Sequence, residues 1–472
     1  MANYNRRRFL QASAAGFLGA SGALAGLGRN RAFAAQTGGY KAMVGVFFKG
    51  GVDMFDALLP RDSASWDALL DLRAGVVNGH EGGTRAVDSQ AALTPSNTDL
   101  GTRRFGLAPE LARTAELFNS GEAAIVGNVG PLLVPTDRDG MKSGTSSLPA
   151  NLFSHNDQQS TWMAFGPEGQ PAGWGGRMMD EVIRTGSVSR PEFATITAGS
   201  GDVFLASGRT STFKVPRNPE DLDVNLVRNV YQTSGNHGEA AREKLAAYLR
   251  RTADSSPNLF ARDVMAGQSR GLTNLQAYKE AYASVGPLGA AFPDTRIGKQ
   301  LEAVANAIHA RGAIGNTRQV FYVDQGGFDT HDQQGTKIGG PLSQVFDAIA
   351  AFRDAMIATG AWDDVCLFTM SDFGRTMTDN GDGTDHGWGN HHFVFGGSVA
   401  GGRIYGQMPE LDANSPRFTE QRARLIPTTS VEQYAATIGS WFGLDNTEID
   451  RVLPNLSRFD GRDLGFMGGS AV

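Results

Sequence analysis

Val365-Cys366-Leu367-Phe368-Thr369-Met370-Ser371-Asp372-Phe373-Gly374-Arg375 is the stretch whose reading decides the fold. Its first six residues form an apolar run broken only by Thr369, as suits a strand buried on both faces of a parallel sheet. An acidic residue follows at once. In open α/β sheets, ligands bind beyond the carboxyl ends of the strands. The next residues are rich in metal-binding side chains: Asp385, His386, His391 and His392.

Working outward, the same pattern of strand and polar turn recurs. Residues 42–48 read as the first core strand and end in Lys49-Gly50-Gly51-Val52-Asp53. Residues 122–129 read as a second strand, and 319–323 as a third, followed by Asp324-Gln325-Gly326-Gly327-Phe328-Asp329-Thr330-His331-Asp332. Val345, Phe346, Ile349, Phe352 and Met356 have the spacing of an amphipathic helix. Residues 393–395 read as a further strand. Helices are predicted over 109–119, 219–231, 239–251, 272–284, 297–310 and 431–442, the last opened by a Ser430/Gln433 capping box. Residues 61–101 read as a polar surface excursion and 130–152 as a long loop. Alternating strands and helices predict an α/β fold with a mostly parallel sheet covered by helices. Residues 36–472 are expected to form a single domain, with a loop-rich and helical elaboration at about 130–295.

The first 35 residues read as an export signal. Asn5-Arg6-Arg7-Arg8-Phe9-Leu10 has the twin-arginine pattern, an Ala/Gly-rich segment follows, and Ala32-Phe33-Ala34 offers a cleavage site. The expected location is periplasmic or extracellular, with the twin-arginine translocase as partner and no permanent membrane span. Removing residues 1–35 takes five of the 43 basic residues and none of the 49 acidic ones, moving the net charge from −6 to −11. Such a chain is not built to bind nucleic acid. The single cysteine, Cys366, permits no internal disulfide and sits inside a predicted buried strand.

Asp53, Asp329, His331, Asp372, Asp385 and His386 all fall in turns after strands and form the candidate metal set. Carboxylates and imidazoles without thiolates suit a divalent ion, with zinc, manganese, magnesium and calcium not distinguished. Any one of these residues alone is equally well explained as a helix cap or a backbone hydrogen-bonding histidine. Arg375 is a candidate anion holder, or else the ion-pair partner of a loop aspartate. In Phe153-Ser154-His155-Asn156-Asp157, Ser154 is the first candidate nucleophile at a helix start and His155 its neighbour; Ser160 is second, and a plain helix cap is as good an account. His80, His237 and His309 read as bystanders. Trp162, Trp174 and Trp388 lie near the polar motifs and are candidates for stacking on sugar rings, although tryptophans are more often core.

The ordered runs Phe47-Phe48-Lys49-Gly50-Gly51-Val52-Asp53, Phe105-Gly106-Leu107-Ala108-Pro109-Glu110-Leu111, Asn151-Leu152-Phe153-Ser154-His155, Asp329-Thr330-His331-Asp332, Ser371-Asp372-Phe373-Gly374-Arg375, Gly383-Thr384-Asp385-His386-Gly387 and Pro427-Thr428-Thr429-Ser430-Val431-Glu432-Gln433-Tyr434 resemble the exported bacterial family of the domain of unknown function 1501, DUF1501. That family resembles in turn the alkaline phosphatase–sulfatase superfamily. The resemblance implies an alkaline-phosphatase-like three-layer α/β/α sandwich and a two-metal hydrolytic site. It implies ligand roles for Asp53, Asp329, His331, Asp372 and His386. Where the superfamily has Asp-His after a strand, this chain has Asp372-Phe373, and phenylalanine cannot coordinate a metal. The expected function is an exported metal-dependent hydrolase of phosphate or sulfate esters. The alternative is a non-catalytic periplasmic or cell-surface binding protein on the same fold, for an envelope polysaccharide; an iron oxidoreductase has only the His/Asp set in its favour.

Overall fold

The computed structural model describes residues 39–201, 203–217 and 236–468. The predicted helix at 219–231 and the export signal lie outside them. At the centre is a nine-stranded sheet. Its middle is Lys41–Phe48, paired in parallel with Arg318–Gln325 on one side and Val365–Ser371 on the other. Phe48 lies level with both Gln325 and Ser371. The three strands therefore end together, and their turns open onto one edge of the sheet.

Alternation along the first strand separates two apolar layers, because successive side chains in a strand point to opposite faces. Ala42, Val44, Val46 and Phe48 pack into one cluster with the helices Arg296–His309 and Gly339–Ala358. Met43 and Phe47 pack into the other with Trp174–Arg184 and Val431–Phe442. The result is helix, sheet, helix: the helix-covered sheet that the strand pattern predicts, in the three-layer α/β/α arrangement that the family resemblance implies. The Ser430/Gln433 capping box opens the last of these helices as expected. Among the described residues no helix is long and apolar enough to cross a membrane.

Three expectations need correcting. Asn390–Phe395 runs antiparallel to both its neighbours, Val365–Ser371 and Ala123–Gly130. The chain reaches it from Ser371 through a polar excursion at the same edge, with no crossover helix to carry it back for a parallel pairing. The segment read as elaboration contributes the strands Thr195–Thr197 and Phe213–Lys214 to the sheet. Residues 61–101, read as a polar excursion, contain the helix Ser63–Asn78, which is interrupted at Arg73 by non-helical backbone (φ −150°, ψ 40°). That interruption bears on Asp53.

Candidate metal centre

Asp329 and His331 follow the Arg318–Gln325 strand, Asp372 follows Val365–Ser371, and His386 closes the short strand Thr384–His386. His155 is the first residue of the helix His155–Ala164. Folding brings three imidazoles together around one carboxylate. His155 Nε2 lies 3.6 Å from Asp329 Oδ2, while His331 Nε2 and His386 Nε2 lie 3.1 and 3.5 Å from Asp329 Oδ1. The Nε2 atoms of His331 and His386 face each other at 2.9 Å.

Each ring is turned by a partner on its other nitrogen. His155 Nδ1 meets Asp372 Oδ2 at 2.6 Å, His386 Nδ1 meets the Phe153 carbonyl at 2.8 Å, and His331 Nδ1 meets Asp385 Oδ1 at 3.3 Å. Facing a carboxylate or carbonyl, Nδ1 must carry the hydrogen, so a neutral ring keeps its lone pair on Nε2. Burial holds the His386 imidazole below the usual histidine range, helped by the positive charge of His155 and Arg375. Burial opposes it, but the hydrogen bond and charge of Arg375 hold the Asp329 carboxyl below its ordinary range. The hydrogen bond to Asp372 raises His155. The Nε2 atoms of His331 and His386 are close enough for a proton or a cation to lie between them.

The donor set therefore fits a divalent ion. Donors about 2.0–2.1 Å from a tetrahedral ion stand about 3.3 Å from one another; His155, Asp329 and His386 each bring a ligand atom within 4.8 Å of the others, and His331, outside that group of three, touches Asp329 and His386. Imidazoles oriented by a carboxylate or carbonyl on the far nitrogen are the usual surroundings of metal-binding histidines.

Asp372 is fully buried and its Oδ2 also accepts from Gln159 Nε2 and the Gly50 N–H. It orients His155, leaving Oδ1 as a buried acceptor without a partner among the described residues. Asp372→Asn keeps the shape but offers His155 a weaker acceptor, and is expected to weaken metal binding about 10- to 100-fold. Titration with a competing chelator measures this; unchanged affinity would remove Asp372 from the centre.

Asp53 and Arg375 depart from their expected roles. Asp53 is fully buried and ion-paired with Arg73, whose guanidinium occupies the side a cation would take. Its carboxylate also accepts from Gln334 Nε2 at 2.8 Å and the Phe55 N–H at 3.1 Å. It is not among the His155, Asp329 and His386 groups that converge. Arg375 is also fully buried. It donates to the carbonyls of Gly50, Gly51, Phe328 and Thr384 and to Asp329. Those bonds engage all three of its side-chain nitrogens. Asp385 binds His331 and Arg422 and stands behind the centre.

The Phe373 ring lies 4.9 Å from that of His155 and 4.6 Å from that of His386, an apolar floor beneath them. Gly51 makes room for it: a Cβ there would stand 2.3 Å from the Phe373 ring, and φ is +74°. His391 and His392 lie inside the Asn390–Phe395 strand, fully buried, pushed down to about 3 by burial and away from this group. Ser154 caps the His155–Ala164 helix, and its hydroxyl donates to Asp157 Oδ2 at 2.9 Å. Trp162, Trp174 and Trp388 are fully buried, so none can stack on a sugar.

The family model described as "Protein of unknown function (DUF1501)" matches residues 40–453. The chain belongs to the DUF1501 family. No curated protein matches this DUF1501 chain. Among solved structures it is similar to the PsFucS1 sulfatase from Pseudoalteromonas sp., at 9% identity and a TM-score of 0.32, over 93% of this chain and 74% of the other. It is also similar to Ps i-CgsB in complex with k-i-k-neocarrahexaose, at 10% identity and a TM-score of 0.32, over 90% and 78%. Likenesses at that level carry no argument about the site.

In this DUF1501 protein, several site residues gave no signal in the sequence. Arg422 pairs with Asp385 and is largely exposed, and Arg424 donates to the His386 carbonyl while covering the Phe153 ring at 4.1 Å. Phe153 has φ +74° and Arg422 φ +62°, both uncommon for residues with a side chain. Such strain tends to collect where a functional group must be held in one place.

Proposed function

We propose that this protein is a metal-dependent hydrolase of phosphate or sulfate esters. The observation that supports this reading is the convergence of the Nε2 atoms of His155, His331 and His386 on Asp329, with each far nitrogen engaged. These four side chains would hold the ion, which when bound supplies Lewis-acid charge at an ester oxygen. Arg422 and Arg424, rather than Arg375, hold the anionic group, since both guanidinia stand beside the centre on the loop that reaches His386 and Asp385. Phe373 keeps water from one side of the imidazoles. Ser154, adjacent to His155 and hydrogen-bonded to Asp157, is the nucleophile of this reading.

Export by the twin-arginine translocase to the periplasm or beyond belongs to the same proposal. It suits a protein whose metal is taken up on folding. The local arginine pair favours a small anionic ester, while the acidic net charge disfavours nucleic acid. The polysaccharide-binding alternative loses its cue with the burial of the three tryptophans.

A panel of aryl phosphate and aryl sulfate esters tests the reading on the metal-loaded protein. Ser154→Ala is expected to lower turnover by about 10³-fold or more with metal content unchanged. A Ser154→Ala protein as active as the parent would remove the nucleophile. A loaded parent with no activity on any ester would remove the hydrolase.

A further inference from the structure

We propose that the tip of the hairpin formed by the helices Asn236–Ser255 and Leu259–Ala283 docks on the surface of an anionic phospholipid bilayer. The second helix is held at its far end. There Tyr278 and Ala281 are buried, and the Tyr278 ring lies 6.2 Å from that of Phe193 and 5.3 Å from that of Phe213. Leu259 stands about 28 Å further along the helix at 1.5 Å per residue. Between the two, Ser269 alone is buried. The tip therefore projects from the anchored end.

Its apolar side chains have no folding role. Leu259 and Phe260 are 72% and 78% exposed. With Val264 and Tyr248 they make four of the five exposed large apolar side chains among the described residues, the fifth being Ile357. Asn258 already caps the second helix, its side chain accepting the Ala261 N–H at 3.1 Å. A helix start favours acidic residues, and this first turn has none. Single exposed apolar residues are ordinary, but a cluster of them marks an interaction surface.

Charge selects the partner. The hairpin carries seven basic and five acidic residues, in a chain whose net charge is −6. Arg250, Arg251 and Arg262 are exposed near the tip, beside Asp254 and Asp263, and none of the three has an ion-pair partner among the described residues. Leucine and phenylalanine flanked by arginines suit the boundary between acyl chains and phosphates, where the rings bury and the guanidinia meet anionic headgroups. A second copy packed tip to tip would instead set these arginines against their like.

Co-sedimentation of the whole protein with vesicles tests this. Equimolar phosphatidylcholine and phosphatidylglycerol should bind it, phosphatidylcholine alone much less, and added salt should weaken the binding. Leu259→Ser with Phe260→Ser should lower partitioning about tenfold or more. Arg250→Gln with Arg251→Gln should lower it about fivefold for each charge removed. Both variants keep the parent's N-terminal segment, so a difference from the parent belongs to the tip, and both should unfold in urea as the parent does. Phe260→Trp should add a blue-shifted emission on the anionic vesicles. A serine variant that binds like the parent would overturn the site, and equal binding to the two vesicle types would overturn the role of charge. No binding to either vesicle, or self-association that the serine variant abolishes in their absence, would end the proposal.

Discussion

His386→Ala is expected to leave a folded protein that holds no metal. The side chain is 22% exposed, so its loss opens no sealed cavity and stability should change little. It is also the hub of the centre, since its Nε2 faces both His331 and Asp329 while Phe153 fixes its other nitrogen. Removing one of four donors typically lowers affinity by orders of magnitude, more than the 10- to 100-fold of an orienting partner. Elemental mass spectrometry of protein folded in its native host should find about one ion per chain in the parent and close to none in His386→Ala. His309→Ala, on the Arg296–His309 helix, serves as the control that retains metal. One ion is expected, not two, because Arg73 engages Asp53 and Phe373 carries no donor atom. A His386→Ala protein with the parent's metal content would sink the centre. A parent that takes up none of zinc, manganese, iron, magnesium or calcium would sink it too.

The second large effect concerns stability. Arg73→Leu removes the partner of a carboxylate that is fully buried, leaving Asp53 with only Gln334 and one backbone N–H. Breaking a buried pair from one side costs about 3–5 kcal/mol, a large share of the roughly 5–15 kcal/mol that holds a typical domain folded. Replacing both partners by apolar residues, Arg73→Met with Asp53→Leu, should recover much of that loss, because no charge is then stranded. Urea unfolding of the parent, the single variant and the double variant measures all three. If Arg73→Leu unfolds at the parent's urea concentration while Asp53→Asn strips the metal, then Asp53 is a ligand and the ion pair is incidental.

These two cases also show what the sequence could reveal. Asp329 and His331 follow a strand with a clear apolar run, and the ends of such strands gather in one place; His386 closes a three-residue polar strand and stood out only through the histidines and aspartates around it. Asp372 was readable as a site residue because it too follows an apolar strand, but not as the orienter of His155, which lies 217 residues away. Arg73 could not be found. It sits in a mixed-polarity helix, and only the break at φ −150° turns it toward Asp53. The strands Thr195–Thr197 and Phe213–Lys214, three and two residues long, are too short to show an alternating pattern. The direction of Asn390–Phe395 depends on the path taken after Ser371, which periodicity does not record.

The centre is assembled from distant parts of the chain. His155 meets a carboxylate 217 residues later, and His386 leans on a carbonyl 233 residues earlier. During synthesis no fragment ending before residue 386 contains the full donor set. The central sheet must also have closed before the donors meet, and long-range pairings of this kind form late and slowly. If the proposed centre takes up an ion, tight binding would report that the chain through residue 386 has been made and has found its final topology.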